Sequence, residues 1–397
     1  MRILIVNDYG VLSGGAERVS LILREGLRAR GHESRLFTSS ALPVSSANPA
    51  DYTCFGSESP LRRVLQAVNP WAVWKMSQVL SEYQPDLVHV RMFKTQLSPF
   101  ILPLLQNVPC LYHVGSYQSI CPINTKILPD GSTCRHLAGI ECYRAGCVSI
   151  PGLLRIGVQH GAWRRWRGVF RLIVANSRWL GDRLRGDGIE VHEIVPNGTP
   201  IRAPRPALQG PPIVTYAGRL VPEKGVDVLL ASMAQVVRKI PASHLLIAGD
   251  GPDRRNVESQ IDRLGLQPHV TMLGYLDPDP LAQRMAAAWV QIVPSRYEDP
   301  FPNIIIETMM RGVAVIASAT GGAMEIVRDG LTGYLVPPGD PSALTERLIH
   351  LLENRDVAEQ MGAAGRAVAL AEFTEDRMVD RFLAVYRKLA PAGEARR

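Results

Sequence analysis

Two cations stand five residues apart in Gly218-Arg219-Leu220-Val221-Pro222-Glu223-Lys224-Gly225, just before an apolar helical run over 226–237. Arg219 offers a planar fork of donors and Lys224 a compact charge, so the pair can clamp a diphosphate above a helix start. Two solvated surface cations would have the same spacing. Further along, Glu298 and Asp299 precede Pro300-Phe301-Pro302-Asn303-Ile304, and Glu307 lies about one turn into the helix that should follow. Backbone N–H groups near Asn303 and Ile304 can receive an anion, and carboxylates on either side can accept hydroxyls. A phosphorylated sugar suits that set, although acidic residues gather near helix starts for dipole reasons alone.

Glycine pairs recur where strands should turn into helices: Gly14-Gly15 before Ala16-Glu17-Arg18, and Gly321-Gly322 before Ala323-Met324-Glu325. Without a Cβ, Gly14, Gly15 and Gly322 let the backbone approach an anion at a helix N-terminus. One such pair is often just a turn, and neither is the G-x-G-x-x-G of a dinucleotide fold; several at one sheet edge say more. His113 closes the apolar run Leu111-Tyr112-His113, where it would either hydrogen-bond a ligand at a cleft mouth or sit satisfied in the core.

Cys121, Cys134, Cys142 and Cys147 follow in a polar, Gly-containing loop over 115–150. Their C-x12-C-x7-C-x4-C spacing suggests a structural zinc site, with His136 as a competing ligand; reduced thiols are the alternative, and the C-x2-C knuckle is absent. Cys54 and Cys110 read as small buried apolar residues. Between 153 and 185 run Arg155, Arg164, Arg165, Arg167, Arg171, Arg178, Arg183 and Arg185, interleaved with Trp163 and Trp166. Such a mixture could rest on anionic lipid headgroups, although a strand candidate at 172–175 makes part of it ordinary fold.

These residues need a scaffold, and 397 residues suit two domains of about 190 each. With 46% hydrophobic and 20% charged residues, the composition is that of a globular protein rather than a disordered one. No apolar run reaches the roughly 18–20 residues of a membrane span, and the first strand candidate, 3–6, is too short for a signal peptide, so a cytoplasmic protein is expected. The first 200 residues hold 22 Lys and Arg against 14 Asp and Glu, while the remainder holds 22 against 23. A basic N-terminal half fits an anionic partner, phospholipid or phosphorylated substrate, or simply a solvated surface. Nucleic acid is not expected, since no zinc finger, RNP motif or heptad is visible.

Strand candidates at 3–6, 34–38, 87–90, 110–113 and 172–175 alternate with helical periods. After a Pro-rich stretch at 196–212 the pattern restarts at 213–217, 245–248, 270–273, 290–293 and 314–317. That alternation means two doubly wound α/β domains. Ligands bind such sheets at the carboxyl ends of their strands, which places the expected active site in a cleft between the domains. The expected divisions are 1–198, 199–373 and a terminal helix within 374–397, whose Met378, Phe382, Val385 and Leu389 share an apolar face with no partner assignable from spacing.

The run from Gly218 to Gly225, the acidic loop to Glu307, Gly321 to Glu325, and Gly330-Leu331-Thr332-Gly333-Tyr334-Leu335-Val336-Pro337-Pro338-Gly339-Asp340 resemble the signature of retaining glycosyltransferase family four. The resemblance covers nearly the whole chain. It implies a GT-B architecture of two Rossmann-like domains, a nucleotide diphosphate sugar held mainly by the second, and a glycan or lipid-linked acceptor held by the first, in surface polysaccharide or glycolipid assembly. The membrane would then be met peripherally, on its inner face. Carried over, Arg219 and Lys224 contact the diphosphate, Glu307 the ribose, and the N–H groups near Asn303 and Ile304 the phosphate or sugar. Gly14, Gly15 and Gly322 line the donor site, and His113, Asp299 and Glu307 form the catalytic set. No cofactor or divalent metal is implied, because cations and helix N-termini can neutralise the leaving diphosphate.

Three departures stand out. Asp299, not Glu298, has the family's seven-residue gap to Glu307; Pro302 replaces the usual glycine and removes a donor; and Val114 stands where an Asp would follow His113. A sugar-nucleotide epimerase of the same architecture, or a nucleotide-binding protein without transferase activity, are the competing expectations.

Overall fold

The computed structural model describes residues 1–10, 15–42 and 50–389, with no side-chain description for 15, 16 and 278. The chain divides into two units, one formed by Met1–Gly198 together with the segment from Glu375, the other by Thr199–Thr374.

The first unit is built on a parallel sheet of β1 (Arg2–Tyr9), β2 (Glu33–Ser39), β3 (Tyr52–Cys54), β4 (Leu87–Val90), β5 (Cys110–Val114), β6 (Leu172–Ala175) and β7 (Glu193–Ile194) in the order β3-β2-β1-β4-β5-β6-β7. The second carries β8 (Ile213–Ala217), β9 (His244–Ala248), β10 (Val270–Gly274), β11 (Val290–Val293), β12 (Ala314–Ser318) and β13 (Gly333–Val336), ordered β10-β9-β8-β11-β12-β13. Strand order reverses beside β1 and β8, making the β1/β4 and β8/β11 crevices the places where such sheets take ligands. Strands in the middle of each sheet are mostly apolar on both sides because helices cover both faces; Leu87–Val90 and Ala314–Ser318 are buried at every position. All ten strand candidates are present. The three that the pattern missed, β3, β7 and β13, are two to four residues long and stand at sheet edges.

The terminal helix Glu375–Leu389 packs on the first unit. Met378, Phe382, Val385 and Leu389 join Ile3, Ile5, Val19, Leu23 and Leu27 in one apolar cluster. Its partner helix, Gly15–Ala29, comes so close that a Cβ on Gly26 would lie 2.5 Å from Val379 Cγ2. Arg30 bonds Asp376 and Asp380 at 2.9 and 2.8 Å beside that contact.

Candidate active site

Because β11 pairs with both β8 and β12, the loops after these three strands lie side by side at the carboxyl edge of the second sheet. After β8, Tyr216 Oη donates to the Arg219 carbonyl at 2.9 Å, pinning the backbone while the Arg219 side chain is exposed. The turn Pro222–Lys224 then ends at Gly225, with φ of 68°. A Cβ there would sit 2.1 Å from the Pro294 carbonyl, so only glycine both takes this conformation and lets the loop rest on the end of β11.

That contact delivers Lys224 to the acidic loop. Its ammonium donates to Asp299 Oδ2 at 2.7 Å and lies 4.8 Å from the Tyr297 ring centroid; the two paired side chains are 19% and 15% exposed. Burial, and then the Asp299 carboxylate, push the Tyr297 phenol well above its ordinary value, so it remains a donor at neutral pH. The Arg296 N–H donates to the Glu223 carbonyl at 2.9 Å, and its guanidinium grips Asp227 with both nitrogens, locking the acidic loop to the helix Val226–Lys239.

From Asn303 the chain enters the helix Asn303–Met310. Pro302 is its N-cap, and no side chain caps the first turn; Ile304 and Glu307 are half-buried. Glu298 and Asp299 precede this helix start as expected. Gly322 does something other than expected: its N–H donates to the Asp299 carbonyl at 2.8 Å, and Cβ atoms on Gly321 and Gly322 would each fall 2.3 Å from the Asp299 and Pro300 carbonyls. This turn therefore braces the acidic loop with the very donor that a phosphate would have used.

The first unit holds more buried polar groups than its sequence suggested. Gly15 begins a helix as expected, while Gly14 lies outside the described residues. Asp8, at the end of β1, accepts from the backbone of Thr95, Gln96 and Leu97 at 2.8, 2.8 and 3.0 Å. It thereby fixes the loop after β4. His113, read either as a ligand-bonding residue at a cleft mouth or as a satisfied core histidine, has a fully buried ring. Its Nδ1 lies 3.2 Å from His89 Nε2 and 2.9 Å from Arg91 Nη1, and Phe382 packs on it at 4.7 Å between ring centroids. His89 Nδ1 in turn meets Tyr386 Oη at 2.7 Å. Burial and the Arg91 charge lower both histidines, His89 to about 3, so both are neutral. The position of Arg91 just after a strand was the one available sequence signal for this network.

The four loop thiols, Cys121, Cys134, Cys142 and Cys147, line one pocket with His136 and Glu141. Among the described residues, however, no three Cys, His, Asp or Glu side chains are grouped so as to hold a metal ion. Burial raises the Cys142 and Cys147 thiols, keeping them protonated. A buried lysine organises the loop: Lys126 Nζ pairs with Asp187 at 3.1 Å and donates to the His136 carbonyl at 2.9 Å, while its N–H donates to Cys121 Sγ at 3.4 Å. The lipid-facing role expected of two tryptophans is also displaced. Trp163 is buried among Phe93, Tyr112 and Phe170, and Trp166 packs edge-on against Phe100 at 5.0 Å.

The comparisons accord with this arrangement. Residues 13–203 match the family described as Glycosyltransferase Family 4, and residues 199–368 match Glycosyl transferases group 1. A phosphatidyl-myo-inositol mannosyltransferase of Mycobacterium leprae is 32% identical over 99% of this chain and 98% of its own. With other curated relatives the match spans about half of each protein, 48% of one and 58% of another. A sucrose-phosphate synthase from Thermosynechococcus elongatus superposes with a TM-score of 0.75 at 25% identity, over 98% of both chains. Anabaena Alr3699/HepE, solved with UDP-glucose, does so with 0.70 at 21% identity, over 98% of this chain and 100% of its own. The chain belongs to the group 1 glycosyl transferases of glycosyltransferase family 4, enzymes of GT-B architecture that move a sugar from a nucleotide-sugar donor to an acceptor.

Proposed function

We propose that the edge of the second sheet is the donor site, with Arg219 and Lys224 on the diphosphate and Glu307 on the ribose. The observation that carries this reading is the Lys224–Asp299 contact at 2.7 Å, which holds a cation beside a helix start that no side chain caps. In the absence of donor, Asp299 occupies Lys224. An arriving diphosphate draws the ammonium toward itself, and the Asp299 carboxylate becomes available to a sugar hydroxyl. The backbone near Asn303 and Ile304 completes the anion site, and Glu298 stands next to it in the loop.

The reaction breaks the bond from the anomeric carbon to the diphosphate oxygen and forms one to the acceptor oxygen on the same face, with retention. The acceptor proton passes to the departing diphosphate. Arg219, Lys224 and the helix start stabilise the charge that develops there, with no cofactor or divalent ion required. The acceptor is a glycan or lipid-linked hydroxyl, a reading supported by the full-length likeness to a phosphatidyl-myo-inositol mannosyltransferase. The product enters surface polysaccharide or glycolipid. The buried His113 ring takes a positioning role behind Arg91.

Incubation with UDP- and GDP-sugars and a lipid or glycan acceptor tests this directly, with the anomeric configuration of the product read by NMR. The expected product keeps the configuration of the donor. An inverted product, or nucleotide binding without turnover on any acceptor, would sink the reading.

A further inference from the structure

Two helices of the first unit leave large apolar side chains in water. On the helix Ile150–Trp166, Ile150, Leu154 and Val158 repeat at i, i+4 and i+8 and are 59%, 70% and 46% exposed. On the helix Pro70–Tyr83 and the short turn before it, Trp74, Trp71 and Val64 are 67%, 49% and 60% exposed. The two rows are tied together through Gln66, whose side-chain oxygen accepts from Arg155 Nη1 at 2.6 Å and whose carbonyl accepts from Gln159 Nε2 at 2.8 Å. A soluble helix normally turns such a stripe inward, and neighbouring exposed stripes mark a contact surface.

The charge along these segments is mainly positive, with Glu82 near the C-terminal end of the Pro70–Tyr83 helix an exception. Residues 59–81 contain Arg62, Arg63 and Lys75 and no Asp or Glu, and residues 145–181 contain six arginines and no Asp or Glu. Glu58, just outside the first stretch, pairs with Arg62 at 2.7 Å. Among the described residues no helix is long and apolar enough to cross a bilayer. Paired tryptophans and an aliphatic stripe flanked by arginine describe a surface lying in the headgroup layer of an anionic membrane, with rings at the interface and guanidinium groups on phosphates.

We propose that this face, made by the Ile150–Trp166 and Pro70–Tyr83 helices, docks the enzyme on an anionic phospholipid bilayer. The inference does not depend on the donor-site reading, since none of these residues belongs to the second unit. It keeps part of the segment that the sequence pointed to, Leu154 and Val158, but changes its tryptophans, because Trp163 is buried and Trp166 half-buried while Trp71 and Trp74 face out.

Sedimentation with vesicles tests it, using phosphatidylcholine alone and phosphatidylcholine containing about 30% phosphatidylglycerol. The full chain is expected to bind the anionic vesicles at least about tenfold more tightly, with binding weakening as salt rises from about 0.05 to about 0.5 M. Trp71→Ser combined with Trp74→Ser, and separately Leu154→Ser, should each lower that binding by about tenfold. All should keep the wild-type melting temperature and the wild-type thermal shift with nucleotide diphosphate, since every substituted side chain is exposed. Failure to bind anionic vesicles, or binding that survives all three substitutions, overturns the proposal. So does a dimer in light scattering that the Trp substitutions dissolve, which would assign the face to a second copy. The nucleotide shift, read on the same samples, separates either failure from a failure of the donor site.

Discussion

Lys224 does two jobs in succession if the donor site is as described: it neutralises Asp299 when the site is empty and the diphosphate when it is full. Asp299→Asn then separates binding from chemistry. Nucleotide diphosphate should bind the variant as tightly as the wild type or a few-fold tighter, because a carboxylate near the phosphates is gone, while turnover falls by about tenfold or more. Calorimetry and initial rates on the same preparation measure both, and a large loss of nucleotide affinity would mean that Asp299 only orients Lys224. The placement of Arg219, Lys224 and Asp299 in loops after β8 and β11 was legible in the sequence because they follow apolar strand runs. The role of Gly322 was not, since its N–H is taken by a backbone carbonyl, and no residue type announces that. Nor were the partners that bury His113, since Phe382, which packs on its ring, and Tyr386, which bonds His89, arrive from the far end of the chain.

The buried histidines also make a pH prediction. His89 titrates near 6.5 when unfolded and at about 3 when folded. Its contribution to stability is therefore complete above about pH 6.5 and is lost as pH falls from there toward 3, by about 1.4 kcal/mol per pH unit. His89→Asn should remove about one proton's worth of slope from urea stability between pH 6.5 and 5. An unchanged slope would show that His89 is already protonated in the folded state.

At the scale of elements, the alternation of short apolar runs with helical periods reported the two sheets faithfully, because strands buried on both faces have little sequence freedom. The partner of the terminal helix stayed open, since an apolar stripe states that it is buried but not against what. The docking shown here makes Phe382 a core residue of the first unit, and Phe382→Ala should cost about 3–5 kcal/mol in urea unfolding. Gly26→Val should also destabilise, by about 1–3 kcal/mol, because its side chain would drive into Val379. A value near zero for both would place the helix elsewhere in solution. The cysteine loop shows a different limit of the sequence: four thiols spaced C-x12-C-x7-C-x4-C suggested a metal, while among the described residues no three ligands are grouped to hold one and the Lys126–Asp187 pair lies in the same loop's packing. Purified protein should carry zinc well below one equivalent and yield all six thiols to titration after unfolding without chelator; a full equivalent of zinc would overturn that reading.

For the whole molecule, the division of charge in the sequence now has a physical place. The excess of Lys and Arg belongs to residues 1–200, where the exposed apolar helices and their arginines lie, while in the second unit one pair of cations, Arg219 and Lys224, stands just beyond β8. That pair is central to the proposed donor site. Its most direct test is calorimetric titration of UDP and GDP into wild type and Lys224→Ala. At least one nucleotide is expected to bind the wild type and to bind the variant about ten- to a hundredfold more weakly, as loss of one charge-assisted contact implies, at an unchanged melting temperature. Equal affinity in the two proteins, with the fold intact, would contradict the assignment of the donor site.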